Sequence, residues 1–142
     1  VFNRMENLLG GQLFQRLFPV ILTDNGSEFT NPNALENSPA SGALRTRIFY
    51  CDPYSSWQKG HVENNHLNLR KVLPKGRSFD NLVQTDINLM LSHVNSLARK
   101  SLNGTTAAAL FETIYGKEVL PKLEITPISP NAVCLLPELI EK

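Results

Sequence analysis

Apolar positions in the first eighteen residues fall at Phe2, Met5, Leu8, Leu9, Leu13, Phe14, Leu17 and Phe18. This three-and-four spacing predicts one amphipathic helix over residues 1–18. Gly10 and Gly11 weaken it inside, by roughly 1 kcal/mol per glycine relative to alanine. The period then changes. Pro19-Val20-Ile21-Leu22 is a short apolar run bounded by turn formers, as a buried strand is, and it halts at Asp24 before Asn25-Gly26. Asn31-Pro32-Asn33 opens a short helix through Ala34-Leu35-Glu36, and residues 37–42 read as loop. Residues 45–51 read as a second strand, stopped by Asp52-Pro53.

Tyr54 to Gly60 is too polar to pack as an element and leads into a helical pattern with Glu63 in its first turn. Val62, Leu69 and Val72 would face inward, and Pro74 ends the helix. The next helix is predicted from about Leu82 to Ala98, with Leu82, Val83, Ile87, Met90, Leu91, Val94 and Leu97 as its core stripe. Thr105 or Thr106 caps a helix through Tyr115 that Gly116 closes. Pro121, Pro127, Pro130 and Pro137 keep the last 25 residues mostly extended. The doublets Ile125/Ile128 and Leu135/Leu136 would lay that tail on a surface or a partner. Strands alternating with helices give an α/β class.

A chain of 142 residues, 42% hydrophobic and 19% charged, is the size of one domain and composed like a folded protein. No apolar run approaches the roughly 18 residues of a membrane helix, and no signal-peptide layout opens the chain. Cys51 and Cys134 lack metal-ligand spacing and read as free thiols of a reducing cytoplasm. Val1 begins inside a helical pattern without Met, which reads as part of a longer protein.

The net charge of +1 says little, but its distribution says more. Residues 57–77 carry Lys59, Arg70, Lys71, Lys75 and Arg77 against the single acid Glu63, while both flanking segments are slightly acidic. Positive charge around one glutamate suits either a phosphate-backbone site or a solvated helix face.

Asp24 would sit at the C-terminal end of a strand, where α/β sheets carry their ligand sites. There it either caps the turn, holds a hard divalent cation or acts as a base. Glu63, His66 and Arg70 lie at i, i+3 and i+7, on one helix face. Arg70 offers a phosphate its forked donors. His66 either contacts DNA, orients Glu63 or is a surface histidine. Trp57, the only tryptophan, either stacks on a base or anchors its loop to the core.

The strand-end Asp24 and the helix-borne Glu63, with 38 residues between them, resemble the second and third acids of DDE transposases and integrases. The segments Thr23-Asp24-Asn25-Gly26-Ser27-Glu28-Phe29, Phe49-Tyr50-Cys51-Asp52-Pro53-Tyr54-Ser55-Ser56-Trp57-Gln58-Lys59-Gly60 and Val62-Glu63-Asn64-Asn65 are similar to bacterial insertion-sequence transposases of the insertion sequence thirty branch. Leu73-Pro74-Lys75-Gly76 and Asn103-Gly104-Thr105 extend the likeness. Relatives usually have Thr-Pro where this chain has Thr106-Ala107, a departure that touches stability more than chemistry.

The resemblance implies a ribonuclease H-like α/β fold, here incomplete and lacking its first three strands. Residues 1–99 would be the C-terminal part of the catalytic core, and residues 100–142 a C-terminal helix and extended tail. It implies catalytic and metal-ligating roles for Asp24 and Glu63 around Mg²⁺ or Mn²⁺, in a two-metal site completed by an aspartate upstream; no aspartate precedes Asp24. It also implies DNA contacts from Trp57, Lys59, His66, Arg70 and Lys71, transposon ends and target DNA as partners, homo-oligomerisation, and a cytoplasmic setting without membrane contact. These residues alone would be inactive. The alternative is a non-catalytic truncated transposase serving as a DNA-binding or subunit-interaction module. In either case residues 19–23 would form an exposed edge strand, and Phe2, Leu9 and Phe14 would lack part of the sheet they pack on.

Overall fold

The computed structural model describes residues 1–24, 26–52 and 60–140, and for residues 60–64 the backbone alone. The chain divides into two compact units, Val1–Gln58 and Lys59–Lys142.

The opening helical pattern becomes two helices, α1 (Phe2–Leu9) and α2 (Gly11–Leu17), rather than one. Gly10 takes φ 80° and ψ 151°, a conformation glycine reaches without a Cβ clash, and the helix breaks there. The pair then folds on itself. Leu9 and Phe14 are buried, and the Phe2 ring meets Phe14 edge-on at 6.4 Å between centroids. Residues expected to lack part of the sheet they pack on are thus covered at Leu9 and Phe14, and the helix break lets Phe2 and Phe14 pack on each other and on Arg45. The Arg45 guanidinium lies 5.9 Å from the Phe2 centroid and 5.6 Å from that of Phe14.

β1 (Val20–Thr23) and β2 (Arg47–Tyr50) pair in parallel, Val20 opposite Arg47 and Thr23 opposite Tyr50. Parallel neighbours need a crossover. It runs through a 3₁₀ turn (Ser27–Phe29) and α3 (Pro32–Glu36), which Asn31 caps by accepting the Ala34 N–H at 3.2 Å. One face of the ribbon is covered, with Thr23 and Ile48 buried. The other carries Val20 (56% exposed), Leu22 (46%) and Phe49 (52%).

The two edges also differ. Arg47 N–H donates to Pro19 O and Cys51 N–H to Thr23 O, so Ile48 points its N–H away from β1. That N–H donates to Glu36 Oε1 at 2.8 Å, which closes the outer edge of β2. By the same alternation Val20 and Leu22 turn their backbone groups away from β2, and no described strand pairs with them. Among the described residues, the edge expected to be open has no strand beside it.

In the second unit α4 (Gly60–Val72) buries Val72 in a cluster with Leu73, Met90 and Ile140, with Leu69 packed against it. Sequence placed this face correctly for Leu69 and Val72; the Val62 side chain lies outside the described residues. α5 spans Gln84–Asn95, shorter than predicted at both ends. Asp86 accepts the Val83 N–H at 3.1 Å, which starts the helix after Val83 and leaves that side chain exposed instead of in the stripe. α6 (Ala107–Tyr115) is capped by Thr106, which accepts the Ala109 N–H at 3.0 Å, and closes at Gly116.

The tail is less extended than its prolines suggest. Val119–Lys122 forms a helix, α7, with Pro121 in its first turn, where a missing N–H costs nothing. Glu124, at φ 58°, then turns the chain onto α5. Asn88 donates to the Glu124 carboxylate. Ser92 Oγ accepts the Thr126 N–H at 3.0 Å, and Ser96 Oγ that of Ile128 at 2.9 Å. Four helical residues rise about 6.0 Å and two extended residues about 6.6 Å. The spacings match, so each helical turn of α5 holds every second residue of the tail. Ile125 enters a core with Ala108 and Leu120, and Ile140 reaches the α4–α5 core. The surface on which the tail lies is thus α5.

Candidate functional site

Asp24 directly follows Thr23, the buried last residue of β1, and is exposed at the C-terminal end of the parallel pair. The Cys51 N–H donates to Thr23 O at 2.7 Å, which sets Cys51 and Asp52 at the same end of the ribbon. Asn25, the first residue of the predicted turn, lies outside the described residues. Beyond it Gly26 leads into the 3₁₀ turn, and the Glu28 carboxylate folds back over Gly26. A Cβ at Gly26 would stand 2.6 Å from Glu28 Oε2, so glycine is what lets that carboxylate lie against the backbone. Tyr50 donates its hydroxyl to Phe29 O and ties this turn to β2.

Exposed oxygen donors at a strand end suit a hard divalent cation. Among the described residues no three His, Cys, Asp or Glu side chains form a metal-holding group.

Glu63 is placed by backbone only, as the fourth residue of α4, in its first turn as predicted. Its side chain lies outside the described residues, as do Trp57 and Lys59. His66, Arg70 and Lys71 are all exposed. Arg70 and Lys71 occupy the last turn, where cations also complement the helix dipole. Sequence reasoning missed Leu67, which is 62% exposed in this row of polar side chains, one turn beyond Glu63. It also missed Arg99, whose Nη1 donates to Asn65 Oδ1 at 3.1 Å and so braces α4 from the loop after α5.

No helix among the described residues is long and apolar enough to cross a membrane. Both cysteines are free and half-buried.

No family model matches the chain, and no solved structure matches it. Curated relatives do. The transposase of insertion sequence element IS4351 from Bacteroides fragilis is 29% identical over 103 residues, covering 72% of this chain and 30% of the relative. The transposase of IS1086 from Cupriavidus metallidurans is 38% identical over 63 residues, 44% of this chain and 19% of the relative. Transposase InsI of IS30A from Escherichia coli is 30% identical over 66 residues, 46% and 17% respectively. The chain thus spans no more than a third of the length of these relatives. It is a relative of the transposases of bacterial insertion sequences, those of the IS30 type among them.

Proposed function

We propose that these residues contribute to DNA transposition by metal-dependent phosphoryl transfer, with Asp24 and Glu63 as two acids of a three-acid site on a ribonuclease H-like fold. The observation that carries this reading is the parallel β1–β2 pair, which delivers Asp24 at its C-terminal end ahead of a helix with Glu63 in its first turn. The ribonuclease H-like assignment calls for a further strand beside β1, on the side where Val20 and Leu22 turn their backbone groups and no described strand pairs. A strand there would bring the remaining acid alongside Asp24.

The carboxylates of Asp24 and Glu63 would hold Mg²⁺ or Mn²⁺. Such a metal pair, when bound, supplies activation of the attacking oxygen and stabilisation of the leaving one during in-line displacement. Arg70 and Lys71 hold the phosphates of transposon-end or target DNA, and His66 contacts the same backbone or orients Glu63. Trp57 and Lys59 extend this contact before α4. With two acids of three, these residues alone leave DNA uncut. In this reading the activity belongs to the bacterial cytoplasm and to a homo-oligomer assembled on its DNA.

A second reading, a non-catalytic subunit-interaction module, is favoured by the exposed Val20, Leu22 and Phe49 face.

Mn²⁺ binding followed by electron paramagnetic resonance separates the two. The catalytic reading predicts weak binding that both Asp24→Asn and Glu63→Gln abolish. Binding unaltered in both variants would leave only the module. For the DNA contact, Arg70→Ala and Lys71→Ala should each lower the salt slope of duplex binding by about 0.9. An unchanged slope in both returns them to a solvated helix face.

A further inference from the structure

The loop between α4 and α5 holds an aromatic ring in water. Phe79 is 62% exposed, although burying such a side chain ordinarily stabilises a fold. The backbone around it is tied down rather than loose. Arg77 N–H donates to Pro74 O at 3.3 Å, and Gly76 at φ 84° supplies the left-handed third position of a type II turn. Ser78 Oγ donates to Asp80 Oδ2 at 2.6 Å and accepts the Asp80 N–H at 3.1 Å, while Leu82 N–H donates to Phe79 O at 3.0 Å. Leu73 is buried at one end of the loop, and Leu82 packs on the same core at the other. Two hydrogen-bonded turns in succession therefore present the ring outward from a stapled base.

The setting is cationic. From Arg70 to Phe79 the chain carries Arg70, Lys71, Lys75 and Arg77, all exposed, and no acid. The carboxylate of Asp80, the next acid, is engaged with Ser78. A preformed aromatic platform beside phosphate-binding cations is the arrangement that holds unpaired nucleic acid, because every base offers a π face.

We infer that residues 73–82 form a single-strand contact in which Phe79 stacks on an unpaired base while Lys75, with Arg70 and Lys71, holds the flanking phosphates. This rests on the DNA reading above and extends it. Transposon ends must be nicked and joined, and a strand freed from its complement needs a holder that does not depend on pairing. Leu73 to Gly76 belong to the family likeness, but the DNA contacts it implies include neither Lys75 nor Phe79.

The test titrates the 142-residue chain with a fluorescent single-stranded oligonucleotide and with its matched duplex, across a salt series. Phe79→Ala should weaken single-strand binding about tenfold with an unchanged salt slope and barely alter duplex binding. Phe79→Tyr should restore it, and Lys75→Ala should lower the single-strand slope by about 0.7. Thermal melts of each variant exclude unfolding as the cause. If Phe79→Ala binds single strands like the parent while Lys71→Ala still loses affinity for duplex, the loop contact is wrong and the DNA reading stands. If the parent chain binds neither DNA, both are overturned.

Discussion

The imidazole of His93 on α5 accepts the backbone N–H of Cys134 at Nδ1, 3.0 Å away, and joins positions 41 residues apart. Only the neutral ring can accept there. Burial holds the His93 pKa below its ordinary value. In the unfolded chain the ring protonates below about pH 6.5, whereas in the fold it stays neutral to lower pH. Over that interval the unfolded state binds more protons. Stability should therefore be full above about pH 6.5 and fall as pH drops through the folded-state pKa. His93→Leu should remove that part of the slope. It should also cost about 1–3 kcal/mol at neutral pH, by leaving the Cys134 N–H unpaired. Melting temperatures across pH for both proteins check this, and identical profiles would contradict it.

The serine ladder makes a register-specific prediction. Ser92→Ala should speed amide exchange at Thr126, and Ser96→Ala at Ile128, each at a cost of about 1 kcal/mol. Exchange that rises uniformly along the tail in both variants would mean the tail is held by its apolar anchors alone.

This ladder also marks where the sequence stopped being informative. Periodicity found α5 and its apolar stripe, because Met90 and Val94 obey helical spacing. It could not show that the polar residues Ser92, His93 and Ser96 are buried too, since a serine on a helix reads the same in water or under a strap. The strap comes from 32 to 41 residues further on, and only the fold puts the two together. The Gly10 break was visible as two glycines but not as a hairpin, which depends on Phe14 having somewhere to go. At the candidate site, β1, Asp24 and the first-turn place of Glu63 were all legible, because turn chemistry and apolar runs are local signals. Leu67, Phe79 and Arg99 were not, because exposure and bracing are tertiary facts.

Glu6 and Arg45 form the ion pair at the heart of the first unit, 2.7 Å between Oε2 and Nη1. Arg45 also donates to Asn3 Oδ1, Leu35 O and Ala34 O, so its buried charge has partners for four of its five N–H donors. A hydrogen bond from Ser38 holds the Glu6 carboxyl below the usual carboxylate range; burial opposes this and Arg45 assists it. The stability this contributes is present where an unfolded carboxylate is ionised, and is lost as pH falls through Glu6's lower pKa. Glu6→Ala should cost about 3 kcal/mol, the low end for a broken buried pair, because the carboxylate lines an open cavity of about 220 Å³. A loss well under 1 kcal/mol by urea denaturation would show that water replaces the carboxylate freely.

The open side of β1 should drive self-association. Val20 and Leu22 expose apolar side chains, and their outward backbone groups have no described strand beside them, which together favour pairing with another chain. Light-scattering chromatography should find a dimer or larger species. Leu22→Lys should shift it towards monomer with under about 1 kcal/mol lost in stability, since the side chain is already half exposed. A sharp monomer peak for the parent chain would end this prediction.

The central claim is that Asp24 and Glu63 share a cation, and affinity cleavage tests it most directly. Fe²⁺ put in place of Mg²⁺, with ascorbate and peroxide, cuts backbone near the bound ion. The account predicts two cuts, one near residue 24 and one near residue 63, both suppressed by excess Mg²⁺ and both lost in Asp24→Asn and in Glu63→Gln. Cleavage at only one of the two segments, or cleavage that survives either substitution, would contradict it.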